Sequence, residues 1–108
     1  VFYTQHKPME RGGYIYIVSN YERTTLYIGV TANLSERIFD HESGKGSEFT
    51  TKYKCKYLIY FEGFQNIEEA IAREKVLKKW NREWKLNLIR KSNPEFKSLN
   101  EQVYQDRL

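Results

Sequence analysis

The chain has 108 residues, a net charge of +4, one cysteine and 16% aromatic residues. That length predicts a single domain, residues 1–108, with a small core, and no apolar run is long enough to span a bilayer. The lone Cys55 cannot close an internal disulfide and no signal-peptide pattern opens the chain, so a cytoplasmic protein is expected.

Residues 1–12 read as an extended lead-in, with Pro8 and a following Gly12-Gly13 pair, and His6 is assigned no role. Tyr14 to Ser19 alternates aromatic and aliphatic residues, the period of a strand. Leu26 to Val30 is a second strand, and the short polar connection between them predicts antiparallel pairing. If Ile15, Ile17, Leu26 and Ile28 face the core, Tyr16 and Tyr27 emerge together on the other side. Gly29 shares that side and adds no side chain, so a ligand backbone is expected to come close there.

Asn33 has the chemistry of an N-cap, with Glu36 in the capping-box position, and a helix from Leu34 to about Glu42 follows. Arg37 and His41 lie one turn apart beside its apolar stripe. Taken singly, Arg37 reads as a snorkelling side chain and His41 as a helix-end residue favoured by the macrodipole. Ser43 to Ser47 is a small flexible loop through which Lys45 could hold a backbone, and Phe49 to Lys56 is mixed, with Lys52, Lys54 and Lys56 alternating around Tyr53 and Cys55. Tyr57 to Glu62 is a third strand, with Tyr57, Ile59 and Phe61 on one face and Leu58 and Tyr60 on the other. Two apolar faces predict a central strand.

Asn66 is the expected cap of a helix from Ile67 to about Asn81. Ile67, Ala70 and Ile71 mark its apolar face, and Glu74 lies near the middle of it. A carboxylate in such a place must be paired, protonated or bound to a cation. Lys78 at i+4 offers a salt bridge as the structural alternative. Ala72, Val76 and Trp80 form a second strip, so this helix is expected to be sandwiched. A third helix from Trp84 to about Lys91 is stopped by Asn93-Pro94. Phe96 and Leu99 are expected to pack back, and the tail beyond Asn100 either frays or forms a short helix.

Charge is unevenly placed. Residues 73–91 hold eight basic and two acidic side chains, a local charge of +6 that leaves −2 for the remainder. Such a segment suggests a polyanion partner or, more plainly, a solvated helix surface.

Tyr14-Ile15-Tyr16 followed by Tyr27-Ile28-Gly29, with Arg37, His41 and an inward Glu74 downstream, resembles the GIY-YIG nuclease family over roughly residues 13–93. The second tripeptide matches in full, and the first departs at Tyr14, where the family has glycine. The resemblance implies an α/β domain of the α+β type, a small three-stranded antiparallel sheet flanked by about three helices. It implies a DNA endonuclease with one glutamate-bound Mg2+ or Mn2+. Tyr27 would match the tyrosine usually proposed as base, Tyr16 its orienting partner, Arg37 the catalytic arginine, His41 a histidine of several branches, and Glu74 the metal ligand. An unperturbed phenol, with a pKa of about 10, is a poor base, so cationic neighbours would have to lower it. Val30 stands where one branch has lysine, which leaves Lys45 or Lys52 as substitutes. Asn87 and Asn93 compete for the family asparagine, with Asn93 preferred. Lys45, Lys52, Lys75, Lys78, Lys79, Arg82 and Asn93 are the expected nucleic-acid contacts. This length leaves no room for a separate sequence-reading module, so weak sequence preference, recruitment by a protein partner or a homodimer is expected. The alternative is a non-catalytic nucleic-acid-binding module built on residues 73–91.

Overall fold

The computed structural model describes residues 11–105, so most of the expected lead-in, including His6, and residues 106–108 lie outside the described part. The elements run β1 (Gly13–Ser19), β2 (Leu26–Thr31), α1 (Leu34–Glu42), α2 (Glu48–Lys52), β3 (Tyr57–Phe64), α3 (Ile67–Lys78), α4 (Arg82–Ser92) and α5 (Asn100–Gln105). The strands form one antiparallel sheet in the order β2-β1-β3. The expected α+β architecture is present, with five helices among the described residues in place of about three.

Each sheet face carries its own core. Tyr14, Tyr16 and Val18 of β1 pack with Leu34 and Ile38 of α1, Leu58 of β3 and Val103 of α5. On the opposite face Ile15, Ile17 and Ile28 pack with Ala70 and Leu77 of α3 and Ile89 of α4. Full burial of one such aliphatic side chain is worth about 1.5–3 kcal/mol. Both faces being covered, all seven residues of β1 are buried.

Several expectations are corrected. The central strand is β1, and β3 lies at an edge. Two apolar faces report cover above and below a strand, not neighbours at its sides. The faces of β3 also differ from simple alternation. Ile17 pairs with Tyr60 while Val18 pairs with Leu58, a bulge that leaves Ile59 as the extra residue. Leu58 and Phe61 therefore share the Tyr16 face, and Ile59, Tyr60 and Phe64 share the other. Strand β3 continues through Gly63, which pairs with Tyr14. A Cβ on Gly63 would meet Tyr14 Cε2 at 3.3 Å, so the tyrosine that replaces the first family glycine lies against a glycine across the sheet.

The helices begin where side chains satisfy their free N–H groups. Asn33, Ser47, Asn66 and Asn81 accept from the amides of Glu36, Thr50, Glu69 and Trp84, each cap being worth about 1 kcal/mol. Asn81 is extended to cap α4, which is why α3 ends at Lys78 and not at Asn81. Helix α3 packs on the sheet along Ala70 and Leu77, two turns apart. Ile71 and Val76 are exposed, so the expected sandwich does not form. The start of the tail is tied to β3: Leu99 N–H donates to Leu58 O at 2.7 Å, and Leu58 N–H donates to Asn100 Oδ1 at 2.8 Å. Tyr104 then donates to Glu42 Oε1 at 2.6 Å and ties α5 to α1. No described helix is long and apolar enough to cross a membrane.

Candidate active site

The site grows from the pairing of Tyr16 with Gly29 across β1 and β2. A Cβ on Gly29 would overlap Cζ and the hydroxyl of Tyr16. The space above Gly29 is therefore filled by the Tyr16 ring, and the expected approach of a ligand backbone there is corrected. The glycine lets the ring lean across the edge strand β2.

Tyr16 is buried, and its hydroxyl lies 2.9 Å from His41 Nε2. His41 Nδ1 lies 3.0 Å from Thr50 Oγ1, which also lies 3.1 Å from Ser47 Oγ and 3.2 Å from Ser47 O. Tyr16, His41 and Thr50 thus form one hydrogen-bonded chain through both ring nitrogens, and which nitrogen carries the proton sets its direction. A Cβ on Gly46 would overlap His41 Nδ1, so the Ser43–Ser47 loop closes over the histidine at a glycine. Burial, and then the Arg37 charge, lower the His41 pKa from 6.5 to about 4, with Asp40 opposing. His41 is neutral at pH 7, unlike the helix-end cation that its position on α1 suggests.

The same surroundings push the Tyr16 phenol well above its ordinary range. Burial is the largest cause, followed by Tyr27, while Arg37 opposes and Glu74 and Asp40 add to it. The Tyr16 hydroxyl therefore sits within electrostatic reach of Tyr27, Arg37 and Glu74, which come from β2, α1 and α3. Tyr27 meets His41 edge-on with ring centroids 6.1 Å apart. Arg37 is half-buried and pairs with no carboxylate among the described residues. Glu74, with its side chain 16% exposed, pairs with Lys78 at 3.2 Å, so the salt bridge and the site coexist.

The predicted nucleic-acid contacts differ in exposure and partners. Lys45, Lys52, Lys75 and Lys79 are exposed. Lys78 is held by Glu74, and Arg82 donates to Thr24 O at 2.8 Å. Asn93 is buried. Its amide donates to Ile59 O and Lys97 O at 3.0 and 2.9 Å and accepts from Lys97 N at 3.0 Å. It joins the end of α4 to β3 and offers no face to a nucleic acid. Asn87 is exposed and accepts from Arg90. Within the basic segment, Arg73 grips Glu62 through two bonds of 2.9 and 3.0 Å.

Sequence reasoning missed Thr50 and Phe49. Ser47 three residues before Thr50 is a capping signal for α2, but a five-residue helix has too few turns to show a period.

Comparison with known proteins gives this geometry a family. The GIY-YIG catalytic domain matches residues 12–87. The chain belongs to the GIY-YIG family. It is 36% identical over 85 residues to a UPF0213 protein of Pediococcus acidilactici, covering 77% of this chain and 86% of that one. It is 39% identical over 92 residues to a UPF0213 protein of Clostridium perfringens, covering 85% and 92%. A further relative, the UPF0213 protein of Haloquadratum walsbyi, is 33% identical over 75 residues, covering 69% and 83%. No solved structure matches. The GIY-YIG domain is that of a nuclease family, in which a divalent metal is generally required.

Proposed function

We propose that this GIY-YIG protein is a metal-dependent endonuclease that hydrolyses phosphodiester bonds in DNA. The observation that supports the reading is that Tyr27, Arg37 and Glu74, from three different elements, all lie within electrostatic reach of Tyr16, beside the Tyr16–His41 contact of 2.9 Å. Tyr16 is the less suited group to give up its proton: burial pushes its phenol up, and its hydroxyl is held 2.9 Å from His41 Nε2. Tyr27 is then the base: its phenolate oxygen, formed by prior loss of the phenol proton to solvent, takes the proton of the attacking water. Tyr16 acts as an anchored acceptor that orients that water or the phosphate, and His41 holds Tyr16 in place. Arg37, unclaimed by any described carboxylate, grips a non-bridging phosphate oxygen and stabilises the developing charge.

The metal fits by elimination of donor types. No group of three His, Cys, Asp or Glu gathers among the described residues, so a closed zinc-type cage is excluded there. A single half-buried carboxylate suits a hard ion that keeps its waters and takes substrate phosphates as ligands, which describes Mg2+ or Mn2+ on Glu74. When bound, that ion supplies Lewis acidity at the phosphate. Lys78, about half exposed, is a weak competitor for the carboxylate and is free to turn to a phosphate. Lys45, Lys52, Lys75 and Lys79 add sequence-independent attraction to the backbone, so specificity is weak. A DNA substrate and the buried, unpaired Cys55 fit a cytoplasmic location.

The Glu74–Lys78 pair favours a second reading, a non-catalytic binding module. Supercoiled plasmid separates the two. Nicking with Mg2+ or Mn2+, lost with EDTA and in Glu74→Ala, is the expected result. Binding without nicking on plasmid, branched and single-stranded DNA would establish the module instead.

A further inference from the structure

Helix α2 extends the site outward as a row of aromatic rings. Tyr27 stacks on Phe49 with centroids 5.7 Å apart and planes inclined by 26°. Phe49 meets Tyr53 at 4.7 Å, inclined by 45°. Lys52 Nζ stands 5.3 Å from the Tyr53 ring centroid. Phe49 and Tyr53 nevertheless remain 41% and 44% exposed. Beside them lies an open hollow of about 530 Å³ lined by Glu48, Phe49, Lys52 and Tyr53.

We propose that Phe49 and Tyr53 form a stacking subsite for an unpaired nucleobase of the strand being cut, which makes single-stranded or locally melted nucleic acid the favoured substrate. The proposal rests on the nuclease reading above and names its substrate class. Three features of the patch carry it. The rings continue directly from Tyr27, so a base seated on them belongs to a nucleotide close to the phosphate that Tyr27 serves. Aromatic faces accept any base, but only a base outside the duplex stack has a face to offer. The charges are ordered for a nucleotide: Lys52 suits a phosphate, whereas Glu48 repels one and accepts from the exocyclic amino group of a base. Lys54 and Lys56 follow α2 and line a second hollow, shared with Tyr53, Tyr57 and Asn20.

The test is fluorescence anisotropy with a labelled single-stranded oligonucleotide and its duplex, in EDTA at low salt, so that binding is read without cleavage. Tyr53→Leu keeps apolar bulk and removes the ring, Tyr53→Phe keeps the ring, and Phe49→Leu repeats the test one ring inward. Thermal melts confirm that each variant folds. Wild type is expected to bind the single strand more tightly than the duplex. Tyr53→Leu is expected to weaken single-strand binding by about 5- to 100-fold, leaving duplex binding and Tyr53→Phe within about twofold of wild type. Equal losses on both substrates, a wild-type preference for duplex, or no loss in either leucine variant would overturn the subsite. If plasmid nicking is normal in that case, the nuclease reading survives alone. Failure of wild type to bind either nucleic acid would end both.

Discussion

Acid should destabilise this domain through one buried histidine. The His41 pKa falls from 6.5 to about 4 on folding, chiefly through burial. Between those values the unfolded chain takes up a proton that the folded state refuses, so stability rises with pH. The contribution is complete above about pH 6.5 and is lost as the pH falls towards 4. At 1.36 kcal/mol per pH unit the whole gap corresponds to about 3 kcal/mol, and allowance for solvent screening near the site opening leaves about 1–2 kcal/mol. Urea unfolding of wild type and His41→Gln at pH 7.5 and pH 5 isolates the effect, because the carboxylates titrate alike in both. Wild type is expected to lose about 1–2 kcal/mol more than the variant between the two pH values. Parallel losses, or a His41 ring that titrates near its ordinary value by NMR, would refute the argument that Tyr16 is held by a neutral imidazole.

Other substitutions probe the same frame. Gly29→Ala forces a methyl into the Tyr16 ring and should cost about 1–3 kcal/mol by thermal melting, with nicking falling because Tyr16 moves. Thr50→Val keeps the shape but orphans His41 Nδ1. It should cost about 1–3 kcal/mol in urea unfolding, with kcat reduced more than DNA affinity. Arg37→Lys loses the planar fork, and single-turnover cleavage should slow by about 100-fold or more while Kd changes only a few-fold. Asn93→Ala removes three main-chain contacts, one buried and two part-buried, and should lower stability by about 2 kcal/mol without altering the salt dependence of DNA binding.

Much of the frame was legible because its signals are local. Alternation placed Tyr16 and Tyr27 on one face, and the 3.6-residue period placed Arg37 and His41 together. What was hidden depends on distant partners. The bulge opposite Ile17 and Val18 inverts half of β3, and nothing in Tyr57 to Glu62 announces it. Gly29 read as open space because the neighbour that fills it, Tyr16, leans across from another strand. Asn93 read as a ligand contact because its buried main-chain partners lie on β3 and in the tail. The reach of Glu74 towards Tyr16 could be suspected from its helical position, but its coexistence with the Lys78 pair could not.

The most direct test of the central claim is single-turnover DNA cleavage by wild type and Glu74→Gln across a Mg2+ or Mn2+ titration, with binding measured in parallel in EDTA. The glutamine keeps the size of the side chain and removes the charge that would hold the ion. The account predicts metal-dependent cleavage by wild type, loss of at least about 100-fold in rate in the variant, and near-equal affinity for DNA. Cleavage at an undiminished rate by Glu74→Gln, or by wild type in EDTA, would contradict it.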